Sequence, residues 1–145
     1  HVTTPQDAKQ LVDACYFSPT GSRGISSSRG ARYGTAGPTV EYTHKLNKEI
    51  FVFALLEDVK ILDDIDGLLA VEGIHAYHVG TEDLAGTMGH PGDSDHPDVV
   101  SVTAKITDEI HARGKKLSEE LVVAARGSHI FLDGLSAFAT GMSKA

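Results

Sequence analysis

Apolar positions along the chain alternate between two rhythms. Ala8, Leu11, Val12 and Cys15 recur at helical spacing, and Thr4, Pro5 and Asp7 ahead of them supply a cap, a first-turn proline and a capping-box acid. That predicts an amphipathic helix. The rhythm stops in YFSPTGSRGISSSRGARYGTAGPT, where Gly, Ser and Pro are too dense for helix or strand, so a long loop is expected. A short helix over 39 to 48 precedes IFVFALL, an apolar run without alternation, the pattern of a strand buried on both faces of a parallel sheet. The helical period returns in DVKILDDIDGLLAV, with Val59, Leu62, Ile65 and Leu69 on one face, and gives way to a strand at IHAYHV. A helix over 97 to 113 turns Val99, Val102, Ile106 and Ile110 inward, another begins near Ser118, and HIFLD makes the last strand.

Strand and helix alternate throughout, which predicts right-handed βα units around a parallel sheet in one domain, 1 to 145. With 145 residues, 41% apolar and 23% charged, the composition is that of an ordinary globular domain. The formal charge of −7, with no basic cluster beyond Lys115 and Lys116, leaves no footprint for nucleic acid. Cys15 is the single cysteine, so no intrachain disulfide forms, and its place in the first apolar stripe predicts a small buried side chain. No apolar run reaches the roughly 18 residues of a membrane-spanning helix. A cytoplasmic protein is expected. Arg23, Arg29 and Arg32, in the long loop, are placed to meet an anion or a neighbouring subunit, though solvated surface arginines are the commoner case.

Two acids draw attention. Glu57 and Asp83 each follow the carboxyl end of a predicted strand, and the two strands are consecutive in the βα order. In a parallel sheet those ends share the ligand-binding face. Carboxylates there hold a hard cation, act as a general base, or cap the next helix. Without a His or Lys of clear role nearby, the metal reading is the stronger of the first two. Glu82 reads as a solvated acid. The loop GHPGDSDHPD brings His90, Asp93, Asp95 and His96 together, but its spacing fits no zinc or calcium pattern, and it reads as structure with Pro97 opening a helix. His75 and His78 are an odd number of residues apart in a strand and point to opposite faces.

VTTPQDAKQLVDACYFSPTGSRG, with its Pro-x-Gly-x-Arg-Gly segment, and LLEDVKILDDIDGLLAVEGIHAYHVGTEDLAGTMGHPGDSDHPDV resemble the HpcH/HpaI aldolase family, the metal-dependent pyruvate aldolases related to the citrate lyase beta subunit. The second stretch resembles, without a gap, the run from that family's strand-end Glu through its Gly-Pro-x-Asp-Leu signature to its His-Pro-acid-Val helix start. The resemblance implies an α/β fold of the (β/α)8 TIM-barrel type, of which this chain carries the C-terminal half. It also implies that Glu57 and Asp83 bind a divalent metal (Mg, Mn or Co), and that Gly80, Thr81 and Asp83 contact the oxoacid substrate, with the Gly80 and Thr81 backbone against its carboxylate. The implied reaction is cleavage of a 4-hydroxy-2-oxoacid to pyruvate and an aldehyde. The implied assembly is a homo-oligomer of dimers, up to a hexamer.

The chain departs from the family pattern in several places. The His-Asp pair serving the family as base and its substrate-binding Arg have no match, so no catalytic residue is assigned. At RGKKLSEEL only Lys115 to Leu117 separate two helices where the family has a strand. Two helices so linked would turn back as an antiparallel pair, so residues missing between Lys116 and Leu117 are expected. Thr81 stands where the family usually has Pro, Leu55 where many members have Gln, and Asp58 where Thr or Ser is common, adding negative charge beside the metal position. A metal-dependent aldolase is the leading expectation. The alternatives are an incomplete or non-catalytic relative acting as a metal-binding or assembly module, and a lyase acting on an acyl-CoA thioester.

Overall fold

A computed structural model of the chain describes residues 1–121 and shows a mixed α/β architecture. Its first helix, α1 (Pro5–Cys15), begins as its sequence dictates. Thr4 accepts the Asp7 amide at 3.2 Å through its hydroxyl, while the Asp7 carboxylate accepts the Thr4 amide at 2.8 Å. Ala8 is fully buried, and Leu11, Val12 and Cys15 pack on the core from partly buried positions, so the thiol is half-buried rather than enclosed. A loop follows, interrupted by a 3-10 turn over Arg29–Gly34, and then α2 (Thr39–Glu49). Asn47 of α2 secures the loop's start: its side-chain carbonyl accepts the Phe17 amide at 2.8 Å and its amide donates to the Phe17 carbonyl at 2.9 Å.

The strands β1 (Phe53–Leu56) and β2 (Ala76–Val79) pair in parallel, with Phe53 opposite Ala76 and Leu56 opposite Val79. The Val2 amide donates to the Leu55 carbonyl on the other edge of β1, and Leu117 makes a parallel bridge to Tyr77 on the far side of β2. The order across the sheet is therefore the order along the chain, as successive right-handed βα units require. The link at Lys116 and Leu117 does not turn back as a helix pair. It crosses the sheet as a one-residue strand, with the Tyr77 amide donating to the Lys116 carbonyl at 2.9 Å, before α6 (Ser118–Leu121). The expected strand HIFLD lies outside the described residues.

Burial along β1 corrects a second expectation. Ala54 and Leu56 are fully buried, whereas Phe53 is 41% exposed and Leu55 half-buried. One face of the sheet carries helices. The other borders an open cleft lined by His1, Val2, Gln10, Phe53 and Leu55. A continuous apolar run therefore covers a strand with only one face closed among the described residues.

The segment after β1 is not one helix. A 3-10 turn (Val59–Asp63) and the short α3 (Ile65–Leu69) meet at Asp64, whose φ of −152° breaks the period. Asp64 accepts the Gly67 amide at 2.9 Å and Asp58 accepts the Lys60 amide at 2.9 Å, so these acids compete with helical backbone bonding as Asp does. Asp58 caps this turn with the carboxylate expected to add charge at the metal position. Ile61, Ile65, Leu68 and Leu69 face the core, joined by Leu84 of α4 (Thr81–Thr87) and by Val99, Ile106 and Ile110 of α5 (Pro97–Ala112). Burying an aliphatic side chain of this kind stabilises by about 1.5 to 3 kcal/mol. No described helix is long and apolar enough to cross a membrane.

Candidate functional site

β1 ends at Leu56 and β2 at Val79, so Glu57 and Gly80 emerge side by side, with the Gly80 amide donating to the Leu56 carbonyl at 2.9 Å. Asp83 follows in the first turn of α4. The two acids meet. The Glu57 side chain is only 14% exposed, and its carboxyl is held above the usual range, first by burial, then by the negative charge of Asp83 and a side-chain hydrogen bond shared with it. The charge of His78 pulls the other way.

Gly80 makes this approach possible. A Cβ there would lie 2.9 Å from Glu57 Oε2 and 3.0 Å from Glu57 Cβ. Its φ is −85°, so space rather than backbone conformation calls for glycine. Thr81 opens α4, where the first amides have no partner within the helix. Glu82 is exposed in the same turn.

The donor set suits a hard cation. Two carboxyl groups converge beside a glycine that leaves room for them, and the pair repels itself in the absence of positive charge.

Two histidines at this end of the sheet went unassigned in the sequence. His1 places Nδ1 3.0 Å from Glu57 Oε1 and Nε2 3.0 Å from Thr3 Oγ1. His78, opposite Leu55 in register, lies on the same sheet face as Glu57. Its Nδ1 is 2.6 Å from Glu119 Oε1 and 3.0 Å from Ser118 Oγ, and Ser118 donates to Glu119 Oε2 at 3.0 Å. Burial works against the charge on Glu119, but hydrogen bonds from its own amide, Ser118 and His78, with the charge of His78, hold its carboxyl below the usual range. His75 accepts the Val52 amide at 3.0 Å and stacks on Phe51, so it shares no ligand with His78.

In the GHPGDSDHPD loop, His90 and His96 stack with ring centroids 3.6 Å apart, and Asp98 stands 3.8 Å from both, a grouping close enough to hold an ion. His96 Nδ1 accepts the Asp98 amide at 3.2 Å and caps α5. Parallel rings carry parallel in-plane lone pairs, which do not converge on one ion. Asp93 bonds through its backbone to His90 and His96, closing the turn. This loop is a helix start.

Comparison with known proteins agrees with this architecture. The model of the HpcH/HpaI aldolase/citrate lyase family matches residues 1–143. A 5-keto-4-deoxy-D-glucarate aldolase of Escherichia coli is 34% identical over 79% of this chain and 44% of its own length. The chain thus spans less than half the length of the curated relatives it matches. An HpcH/HpaI aldolase/citrate lyase family protein from Burkholderia cenocepacia superposes with a TM-score of 0.72 at 30% identity, over 81% of this chain and 46% of that one. The citrate synthase SbnG superposes at 0.74 over 99% of this chain and 61% of its own, at 21% identity, a likeness of fold alone.

Proposed function

The chain belongs to the HpcH/HpaI aldolase/citrate lyase family, and on that premise we propose that it is part of a divalent-metal aldolase built on a (β/α)8 barrel, cleaving a 4-hydroxy-2-oxoacid to pyruvate and an aldehyde. The convergence of Glu57 and Asp83 at adjacent strand ends carries the reading. These two residues would hold Mg, Mn or Co. When bound, the ion supplies Lewis-acid stabilisation of negative charge on the keto oxygen.

The chain's own residues do the rest. Gly80 admits both carboxylates, and the backbone of Gly80 and Thr81, where α4 begins, lies against the oxoacid carboxylate, the Gly80 amide itself being bonded to the Leu56 carbonyl. Sheet order following chain order supports the barrel, since a doubly wound sheet reverses at a switch point. The loop around Arg29 has little apolar content, and Ile25 and Tyr33 within it are 60% and 74% exposed, which favours a homo-oligomer whose neighbour covers it. Light scattering should find an assembly larger than the monomer, and a monomer with an ordered loop would count against one.

The test is metal dependence. Asp83→Ala should abolish Mn²⁺ binding and retro-aldol activity together, and activity surviving in a chelator would sink the metal mechanism.

A further inference from the structure

We infer that His1 is a positioning residue for the metal ligand Glu57: its imidazole, steadied by Thr3, holds one carboxylate oxygen and leaves the other for the ion. This rests on the metal-binding reading above. Position comes first. The Val2 amide donates to the Leu55 carbonyl at 2.9 Å, so the segment ahead of α1 runs along the edge of β1. Val2 is buried in the core with Leu56, and alternation turns His1 and Thr3 to the opposite face, which Leu55 and Glu57 share. Imidazole and acid meet there, with His1 Nδ1 3.0 Å from Glu57 Oε1.

Orientation is the second argument. A metal-binding carboxylate only accepts, so His1 Nδ1 carries the hydrogen and donates it to Oε1. The other ring nitrogen, Nε2, lies 3.0 Å from Thr3 Oγ1, so both nitrogens of the ring are held. Thr3 is fixed in turn by the acid that starts α1: its amide donates to Asp7 Oδ2 at 3.1 Å, beside the Thr4 amide at 2.8 Å. A line of direct bonds therefore runs from the helix cap to the metal ligand. The second carboxylate oxygen, Oε2, stands against Gly80, 2.9 Å from where a Cβ would lie, at the strand end from which α4 and Asp83 follow.

Such support matters for this ligand. Two carboxylates at one site repel each other, and the terminal torsion of a Glu side chain is soft, so an unheld carboxylate turns away before an ion arrives. A bond to one oxygen fixes the carboxylate plane in advance, which is how hydrogen-bonded partners of metal ligands raise affinity. The role needs no proton transfer and no change of charge. No other described histidine can take it, since His78 Nδ1 is engaged by Glu119 and Ser118, and His75 is tied to the Val52 amide and Phe51; His90 and His96 belong to the turn that starts α5.

Mn²⁺ affinity of the full protein, read by paramagnetic resonance of the free ion, tests this without recourse to turnover. His1→Phe keeps a ring beside the apolar Val2, Phe53 and Leu55 and should weaken binding by about 10- to 100-fold. His1→Asn places an amide N–H where Nδ1 stood and should stay near wild type, and Thr3→Val should fall between the two. In a Glu57→Gln background His1→Phe should have no further effect, because the two changes remove one interaction. Electron spin-echo spectra of bound Mn²⁺ should show no directly coordinated nitrogen. Wild-type affinity in His1→Phe, equal loss in His1→Phe and His1→Asn, an undiminished effect in Glu57→Gln, or a nitrogen ligated to Mn²⁺ overturns the assignment alone. If His1→Phe misfolds, Thr3→Val carries the test, and wild-type affinity there overturns it. Failure of the wild type to bind Mn²⁺ overturns the metal reading and this assignment together.

Discussion

Gly80 and Glu57 pack so closely that a single added methyl group would lie 2.9 Å from a carboxylate oxygen of Glu57 and 3.0 Å from its Cβ. The Cβ contact is the decisive one, because it cannot be relieved by rotating the end of a flexible side chain. Gly80→Ala should therefore displace Glu57 and weaken Mn²⁺ binding by about 10- to 100-fold, the range for residues that support a metal ligand. Paramagnetic resonance of free Mn²⁺ measures this directly. Unchanged affinity would mean that Glu57 does not hold the ion.

This contact explains which parts of the site were readable in sequence. Glu57 and Asp83 follow consecutive strands, whose ends lie on one side of a parallel sheet, so local pattern sufficed to bring the two acids together. His78 is different. Its partners Ser118 and Glu119 lie 40 and 41 positions further on and arrive through the one-residue crossing at Leu117, a contact no periodicity encodes. The fold divides the same way. Thr4, Pro5 and Asp7 set the start of α1 locally, and the structure follows them. The break at Asp64 was also local, but the apolar spacing masked it: Asp64 caps the next turn instead of continuing the helix. The apolar run of β1 could not reveal its open face, because burial on the second face depends on what covers it.

The raised carboxyl of Glu57 sets a pH dependence. Burial, then the charge of Asp83 and the hydrogen bond shared with it, lift this group above its ordinary value of 4.5. A proton held more tightly in the folded state stabilises at low pH, and that contribution is lost as pH rises through the raised value. At neutral pH Glu57 is thus a destabilising anion in metal-free protein. Glu57→Gln should melt at a higher temperature than wild type at pH 7, with the gap shrinking toward about pH 4. Mn²⁺ should reverse the order, since only the wild type retains both carboxylates. Identical melting curves at pH 7 would argue against the strained pair.

Asn47 should be the main anchor of the long loop. Its side chain satisfies both backbone groups of Phe17, which is 3% exposed and carries the Arg23 guanidinium 4.6 Å above its ring. Asn47→Ala leaves the Phe17 amide without its partner, while the Phe17 carbonyl keeps the Thr20 and Gly21 amides, and an unpaired buried backbone donor costs about 1 to 3 kcal/mol. Urea denaturation should show a loss in that range. A loss below it would mean that water replaces the amide.

Tyr77 carries the last prediction. It is fully buried at the centre of the sheet, its backbone amide bonded to Lys116, yet its hydroxyl has no hydrogen-bond partner among the described residues. Burial, with a smaller contribution from the charge of Glu72, pushes the phenol up to about 12, so the group stays neutral and its desolvation is uncompensated. Phenylalanine keeps the ring, the packing and the backbone bond while removing only the orphaned oxygen. Replacing an unpaired buried polar group by an apolar one of the same shape is neutral to stabilising, by about 1 kcal/mol. Tyr77→Phe should raise the melting temperature, or leave it unchanged, by calorimetry. A clear fall would mean that the hydroxyl bonds to a group beyond residue 121 or to an ordered water, and that the face of the sheet behind β2 is more polar than the described core implies.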